Sequence, residues 1–353
     1  MLNIAKLDPL YEAAKNLVLE IREPSISLLQ RHLKIGYSRA LSLMALLESN
    51  VVTPADDSGY RRMLTGVTFA MSEEPYCEGL DDWILDEEAL LLNKDFVSVK
   101  CFSKRGVGKS LNEDAVLLPG MIYLGTPRKH GCLDLSKPRY FAIADGMSGG
   151  EFPNKASFRL LGCLDRLLEE VQDETIPREL LHRLQKMFAS LSNDPRYLGM
   201  ASTLIGVQLI GNAANIFNVG DSRAYLLTTN SSGCHAKLLS RDHNQLNDML
   251  DAGELTPAQA ESAATLYRGL TSQFIVDPDY DELQVKIVKH TLQQGERLLL
   301  CSDGLNEVLS DSEIAALFAE KSDEALLKAY MASRRAGGVD DFSVIVLEVM
   351  KAS

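Results

Sequence analysis

From Phe96 onward the chain is a succession of short segments rich in branched residues: VSVKCF, EDAVLL, YFAIAD, TLIGVQLI, NIFNVG, SRAYLL, LQVKIV, ERLLLCSD and FSVIVLEV. Segments of this length and composition form strands, because branched side chains pack well on a pleated surface. Helical spacing interrupts them only in blocks, at about 154–172, 177–191 and 311–335. Strands in runs, with helices inserted in blocks, exclude a strictly alternating doubly wound fold. The expectation is an α+β architecture, an antiparallel β-sandwich flanked by helices.

Acids stand at the ends of these segments. FAIADGMSGGE places Asp145 behind an apolar run and in front of Gly146. NVGDSRAYLL puts Asp221 in a tight turn, LLLCSDGL ends at Asp303 before Gly304, and GGVDDFSVIV opens with Asp340 and Asp341. Glu113 and Asp114 begin LNEDAVLL. Any one Asp-Gly is explained by a turn. Repetition at successive strand ends asks for more, and carboxylates over bendable backbone suit oxygen-seeking cations such as Mg²⁺ or Mn²⁺. The six cysteines include no CxxC pair, so zinc and a disulfide framework are both unattractive.

Charge and apolar runs bound the rest. No apolar run approaches the roughly 20 residues of a membrane helix, and the first residues lack a continuous apolar signal region, so a cytoplasmic protein without membrane partners is expected. The net charge is −13. Residues 1–65 hold eight Lys or Arg against seven acids, whereas residues 66–95 hold nine acids and one lysine. An acidic body repels nucleic acid at long range, so a DNA contact would need a local patch in the first 65 residues. GVGKS at 106–110 is not a nucleotide-binding loop, since Ser103 stands where the phosphate-loop glycine belongs and Leu111 where a dinucleotide GxGxxG needs its third.

Taken in order, NEDA (112–115), ADGM (144–147), GMASTLIG (199–206), NVGDSRAYLL (218–227), LSRDHN (239–244), LLLCSDGL (298–305) and GGVDDFSVIV (337–346) resemble the bacterial type 2C metal-dependent serine/threonine protein phosphatases. The resemblance implies that Asp145 bridges two Mn²⁺ or Mg²⁺ ions and that the Gly146 carbonyl ligates one of them. It implies Asp303 and Asp340 as the remaining protein ligands, Glu113 and Asp114 as holders of metal-bound water, and Asp194 as a ligand of a weaker third ion. Metal-activated water would then hydrolyse the phosphomonoester without a protein nucleophile. Two departures stand out: Lys109 replaces an arginine that would hold phosphate bidentately, and Asp341 replaces an asparagine. A catalytically weak or inactive regulator that binds DNA or serves as a scaffold is the alternative.

Helical spacing in LYEAAKNLVLEI, SISLLQRHL and SRALSLMALLE, followed by a hairpin pattern in VVTPADDSGYRRML, resembles the winged-helix gamma domain of FtsK-type DNA translocases. This implies a helix from near Tyr37 in the major groove, Ser38 and Arg39 near base edges, and Arg31, Lys34, Arg61 and Arg62 on phosphates. Winged helices also dock proteins, and both readings stay open. The expected domains are a winged helix at 1–65, an acidic linker at 66–95, whose stretch 72–88 could compete with DNA for the basic patch, and a phosphatase domain at 96–353. The expected partners are proteins phosphorylated on serine or threonine, a partner kinase or its targets, and double-stranded DNA.

Overall fold

The computed structural model describes residues 10–21, 26–35, 37–47, 52, 95–147, 153–168, 176–231, 233–263, 266–322 and 324–350. The chain divides into two compact units, Met1–Glu74 and Pro75–Ser353.

The first unit contains α1 (Tyr11–Ile21), α2 (Ile26–Leu33) and α3 (Tyr37–Leu47). Ala14 and Val18 on α1, Leu29 on α2, and Leu43, Met44 and Leu47 on α3 close a small core with Val52. The helical spacing of these residues puts them on one face of each helix, so burial rather than local propensity joins the three. Lys34, directly after α2, has φ of 49°, the left-handed conformation that ends many helices. The expected hairpin and the acidic linker lie outside the described residues.

The second unit is a four-layer sandwich. Its strands are β1 (Phe96–Lys104), β2 (Asp114–Leu118), β3 (Met121–Tyr123), β4 (Thr126–Asp134), β5 (Arg139–Met147), β6 (Ala201–Ser202) and β7 (Leu204–Ile210). They continue with β8 (Ala213–Val219), β9 (Arg223–Asn230), β10 (Gly233–Leu238), β11 (Phe274–Ile275), β12 (Lys286–Thr291), β13 (Arg297–Cys301) and β14 (Phe342–Met350). One sheet runs β10-β9-β13-β14-β1-β4; the other runs β11-β6-β5-β7-β8-β12, with β2 beside β5 and β3 beside β2. The pairings are antiparallel, as in β1 with β14 and β5 with β7.

Alternation along the strands builds three cores. Phe141 and Ile143 of β5 meet Val97, Val99, Leu298, Leu300, Ile345 and Leu347 between the sheets. The opposite face of β5 offers the small Ala142 and Ala144 beyond Tyr140, so α4 (Pro153–Leu168) can pack closely through Ala156, Leu160 and Leu164, beside α5 (Arg178–Ala189). Phe342, Val344 and Val346 turn outward from β14.

The pattern expected at 311–335 is two helices, α9 (Asp311–Leu317) and α10 (Glu324–Arg335), with α8 (Asp303–Asn306) before them and α6 (Gln245–Asp251) and α7 (Pro257–Ala263) earlier. Phe318 is fully buried, and the buried Arg297 guanidinium donates to its carbonyl oxygen (2.6 Å), which ends the first helix. The sequence pattern also passes over β4 and β10, the two edges of the six-stranded sheet. Edge strands carry polar and basic residues that keep other chains from pairing, so GCHAKL lacks the apolar signature. Among the described residues no helix is long and apolar enough to cross a membrane.

Candidate metal centre

The acids come together because several strands end at one edge of the sandwich. β2 runs antiparallel to β5 with Asp114 opposite Asp145. β13 delivers Asp303 at the start of α8, while Asp340 and Asp341 precede β14.

Asp145 is held through its backbone: its carbonyl accepts from the Thr203 amide (2.9 Å) and the Ser202 hydroxyl (2.9 Å), and its amide donates to Thr203 Oγ1 (3.2 Å). Its side chain keeps a solvent-facing edge, yet protein surrounds it densely. Burial first, then repulsion from Asp114, Asp303, Asp340 and Asp221, pushes its carboxyl well above the usual range. Asp303 is raised likewise, by burial and then by Asp221, Asp340 and Asp114. Asp114, fully buried, is pushed up to about 7 by burial and by Asp341, against the stabilising hydroxyls of Ser343 and Ser302. Asp221 is pushed up to about 6 by burial and the charge of Asp242.

Hydroxyls and amides orient this cluster from behind. Ser302 Oγ donates to Asp114 Oδ2 (2.7 Å), the Ser343 amide donates to Ser302 Oγ (3.0 Å), and the Asp114 amide donates to Asn112 Oδ1 (3.0 Å). The sequence reading passed over Ser302, Thr203 and Asn112, although each lies inside one of the motifs quoted above. Two glycines let the backbone close around the site. A Cβ on Gly146 would lie 1.9 Å from the Pro153 carbonyl oxygen, and one on Gly304 would lie 1.8 Å from that of Asp341.

Lys109 marks the rim. Its ammonium donates to Glu113 Oε2 (2.6 Å), to Asp341 Oδ2 (2.8 Å) and to Asp340 Oδ1. Burial alone would depress the ammonium, but these three bonds outweigh it and raise its pKa above the ordinary value.

Asp114 Oδ1 and Asp303 Oδ1 are buried without a hydrogen-bond partner. An unpartnered carboxylate oxygen is costly in a protein interior, and several together demand a cation. The donors are all oxygen, which fits Mg²⁺ or Mn²⁺. Among the described residues no three Asp, Glu, His or Cys side chains converge as a preformed ligand group, so water and backbone oxygen would complete the coordination.

Asp194 stands differently. It caps the single turn Pro195–Tyr197, and Arg196 clasps its carboxylate (2.5–3.1 Å). That pairing holds the Asp194 carboxyl down at about 2, and Asp194 is not among the charges acting most strongly on Asp145 or Asp303. The structure therefore groups Lys109, Glu113, Asp114, Asp145, Asp303 and Asp340 with Asp341, and gives Asp194 an arginine instead. In the first unit Lys34 and Arg39 are exposed. Arg31 and Ser38 lie on α2 and α3, while Arg61 and Arg62 fall outside the described residues.

Comparison with known proteins follows the same division. Residues 129–334 match the protein phosphatase 2C family model, and residues 5–66 match that of the Ftsk gamma domain. The serine/threonine protein phosphatase PstP of Mycobacterium tuberculosis is 28% identical over 260 residues, 70% of this chain but 44% of that protein. The chain thus spans under half the length of this relative. Protein phosphatase PhpP of Streptococcus pneumoniae is 32% identical over 219 residues, 59% of this chain and 84% of that protein. A crystal structure of the PstP catalytic domain in complex with two manganese ions shares the fold, with a TM-score of 0.54 and 24% identity over 73% of this chain and 100% of that one.

Proposed function

This chain belongs to the protein phosphatase 2C family, and from that premise we propose that it hydrolyses phosphoserine and phosphothreonine in proteins at a centre holding two Mn²⁺ or Mg²⁺ ions. The observation that carries the reading is the pair of buried, unpartnered carboxylate oxygens on Asp114 and Asp303, beside an Asp145 that protein and neighbouring charges hold above the usual range.

Asp145, Asp303 and Asp340 would hold the ions, with the Gly146 carbonyl as a further oxygen ligand. Bound cations of this kind supply an activated water and offset charge on the phosphoryl group. Glu113 and Asp114 orient water. Lys109 offers its ammonium to a phosphate oxygen as a point charge, and no protein nucleophile is required. Asp194 serves a third ion only where that ion displaces Arg196. The domain reading carried forward is 1–65 as a winged-helix targeting unit, 66–95 as an acidic linker and 96–353 as the phosphatase. Exposed Lys34 and Arg39 support a DNA contact by the first unit, with protein docking as its alternative.

The test is release of phosphate from a phosphothreonine peptide with Mn²⁺, by wild type and Asp145→Asn. Turnover that Asp145→Asn abolishes supports the reading. A wild type inert with both Mn²⁺ and Mg²⁺ overturns it in favour of a scaffolding regulator, a reading favoured by the commitment of Lys109 to three carboxylates.

A further inference from the structure

We propose that Asp341 is a positioning residue acting through Lys109, the two forming one phosphate-holding unit at the rim of the carboxylate cluster. The inference deepens the phosphatase reading and rests on it.

An ammonium has three N–H donors, and those of Lys109 go to Glu113, Asp340 and Asp341. The three acceptors differ. The side chains of Asp340 and Glu113 are 35% and 21% exposed, whereas that of Asp341 has no exposed surface. Asp341 is also fixed by backbone: Oδ1 accepts from the Gly106 amide (2.7 Å), and Oδ2 accepts from the Glu113 amide (3.0 Å). One buried carboxylate therefore ties together both ends of the loop carrying Lys109. A third tie joins the Val107 amide to the Val339 carbonyl (2.7 Å). At Gly106 an added Cβ would lie 2.5 Å from the same carbonyl oxygen, so the loop is seated directly on the approach to β14.

This asymmetry decides which bond survives when substrate arrives. A phosphate oxygen can replace Glu113 or Asp340 at the ammonium, since both are partly exposed and the water and ion assigned to them above would compensate their charge. Asp341 cannot be released as cheaply, because a buried carboxylate that loses its cation carries an uncompensated charge. Lysine is a point charge on a flexible stem, without the rigid fork of arginine. The anchor that a guanidinium would carry within itself is supplied here by a second residue, from a position 232 residues further along the chain.

The experiment is a double-mutant cycle on the full chain, read as calorimetric binding of inorganic phosphate to Mn²⁺-loaded protein and as kcat and KM on a phosphothreonine peptide. Asp341→Asn is expected to weaken phosphate binding and raise KM by about tenfold, the loss of one charged hydrogen bond, with a smaller fall in kcat. In a Lys109→Met background the same change is expected to do nothing further. Adding Lys109→Arg to Asp341→Asn is expected to recover about threefold or more, because the fork needs less anchoring. Should Asp341→Asn fail to fold, Asp341→Glu keeps the charge, displaces the oxygens and carries the same cycle.

Full additivity of the two substitutions overturns the proposal. So does a larger change in Mn²⁺ affinity than in phosphate affinity, which would make Asp341 part of the metal site itself. Phosphate binding needs no turnover. An inert wild type with Lys109-dependent binding would therefore sink the phosphatase reading and spare the unit, whereas robust turnover with additive substitutions would do the reverse.

Discussion

The acidic cluster has two halves that solve the same problem in opposite ways. At the strand ends, Asp114, Asp145 and Asp303 are packed around by protein and repel one another, and one buried oxygen each on Asp114 and Asp303 meets no donor. At the rim, Glu113, Asp340 and Asp341 share one ammonium and three backbone amides. The rim brings its own cation; the strand ends must import one. Burial of a charge is tolerable only with compensation, so the rim is compensated from within the protein while the strand ends depend on a bound ion.

The comparison breaks most completely if Asp145 is neutralised. Asp145→Asn should lower phosphopeptide turnover by about 10³-fold or more, as loss of the group proposed to hold the ions would remove most metal assistance. The same variant, with metal chelated at pH 8, should melt above chelated wild type, because one of the repelling charges is gone. Phosphate release and thermal unfolding check the two halves of this expectation. Equal melting temperatures would show that the strand-end acids are not under electrostatic stress.

Next in size is the backbone that lets the halves meet. Gly146→Ala and Gly304→Ala each drive a Cβ to within 2 Å of a carbonyl oxygen, and each should destabilise by about 2–3 kcal/mol in denaturant unfolding, the usual cost of overpacking.

A pH series sharpens the contrast. Groups whose folded pKa is raised, as in Asp114, Asp145 and Asp303, contribute stability that is fully present below their unfolded pKa of about 3.9. That contribution is lost as pH rises through the folded values, about 7 for Asp114. The gap in melting temperature between Mn²⁺-loaded and chelated protein should therefore widen from pH 5.5 to pH 8. A constant gap would place the carboxylates at ordinary pKa values.

Smaller effects are expected behind the site and away from it. Ser302→Ala removes the donor to Asp114 Oδ2 and should cost about 1.5 kcal/mol of stability, a charged hydrogen bond, in chelated protein. Lys34→Gly in the first unit relieves a left-handed lysine and should stabilise its helices by up to about 1 kcal/mol, visible in the amide exchange of α2. It serves as the control far in sequence from the acidic cluster.

Legibility followed the same line. Asp145 and Asp303 stand out in sequence because an acid behind an apolar run has few structural reasons to be there, and Glu113 because it opens one. The helices around Leu160 and Leu184 were readable from apolar spacing. The polar edge strands β4 and β10 were not, since their pairing is imposed by neighbours rather than by their own residues. Asp194 shows what a motif leaves out. Its motif suggested a metal ligand, but Arg196 stands two residues away and takes the carboxylate.

Local pattern by itself determined the apolar strands, the helical stretches near 154–172, 177–191 and 311–335, the run of strand-end acids and the three helices of the first unit. These depend on periodicity and residue type, which are properties of short stretches. Tertiary structure alone decided which acids share charge. It also decided that Lys109 and Asp341, which the sequence offers as two unrelated departures, form one ion pair inside the fold. Distances between residues hundreds of positions apart are set by strand order and register, and no local pattern carries that information.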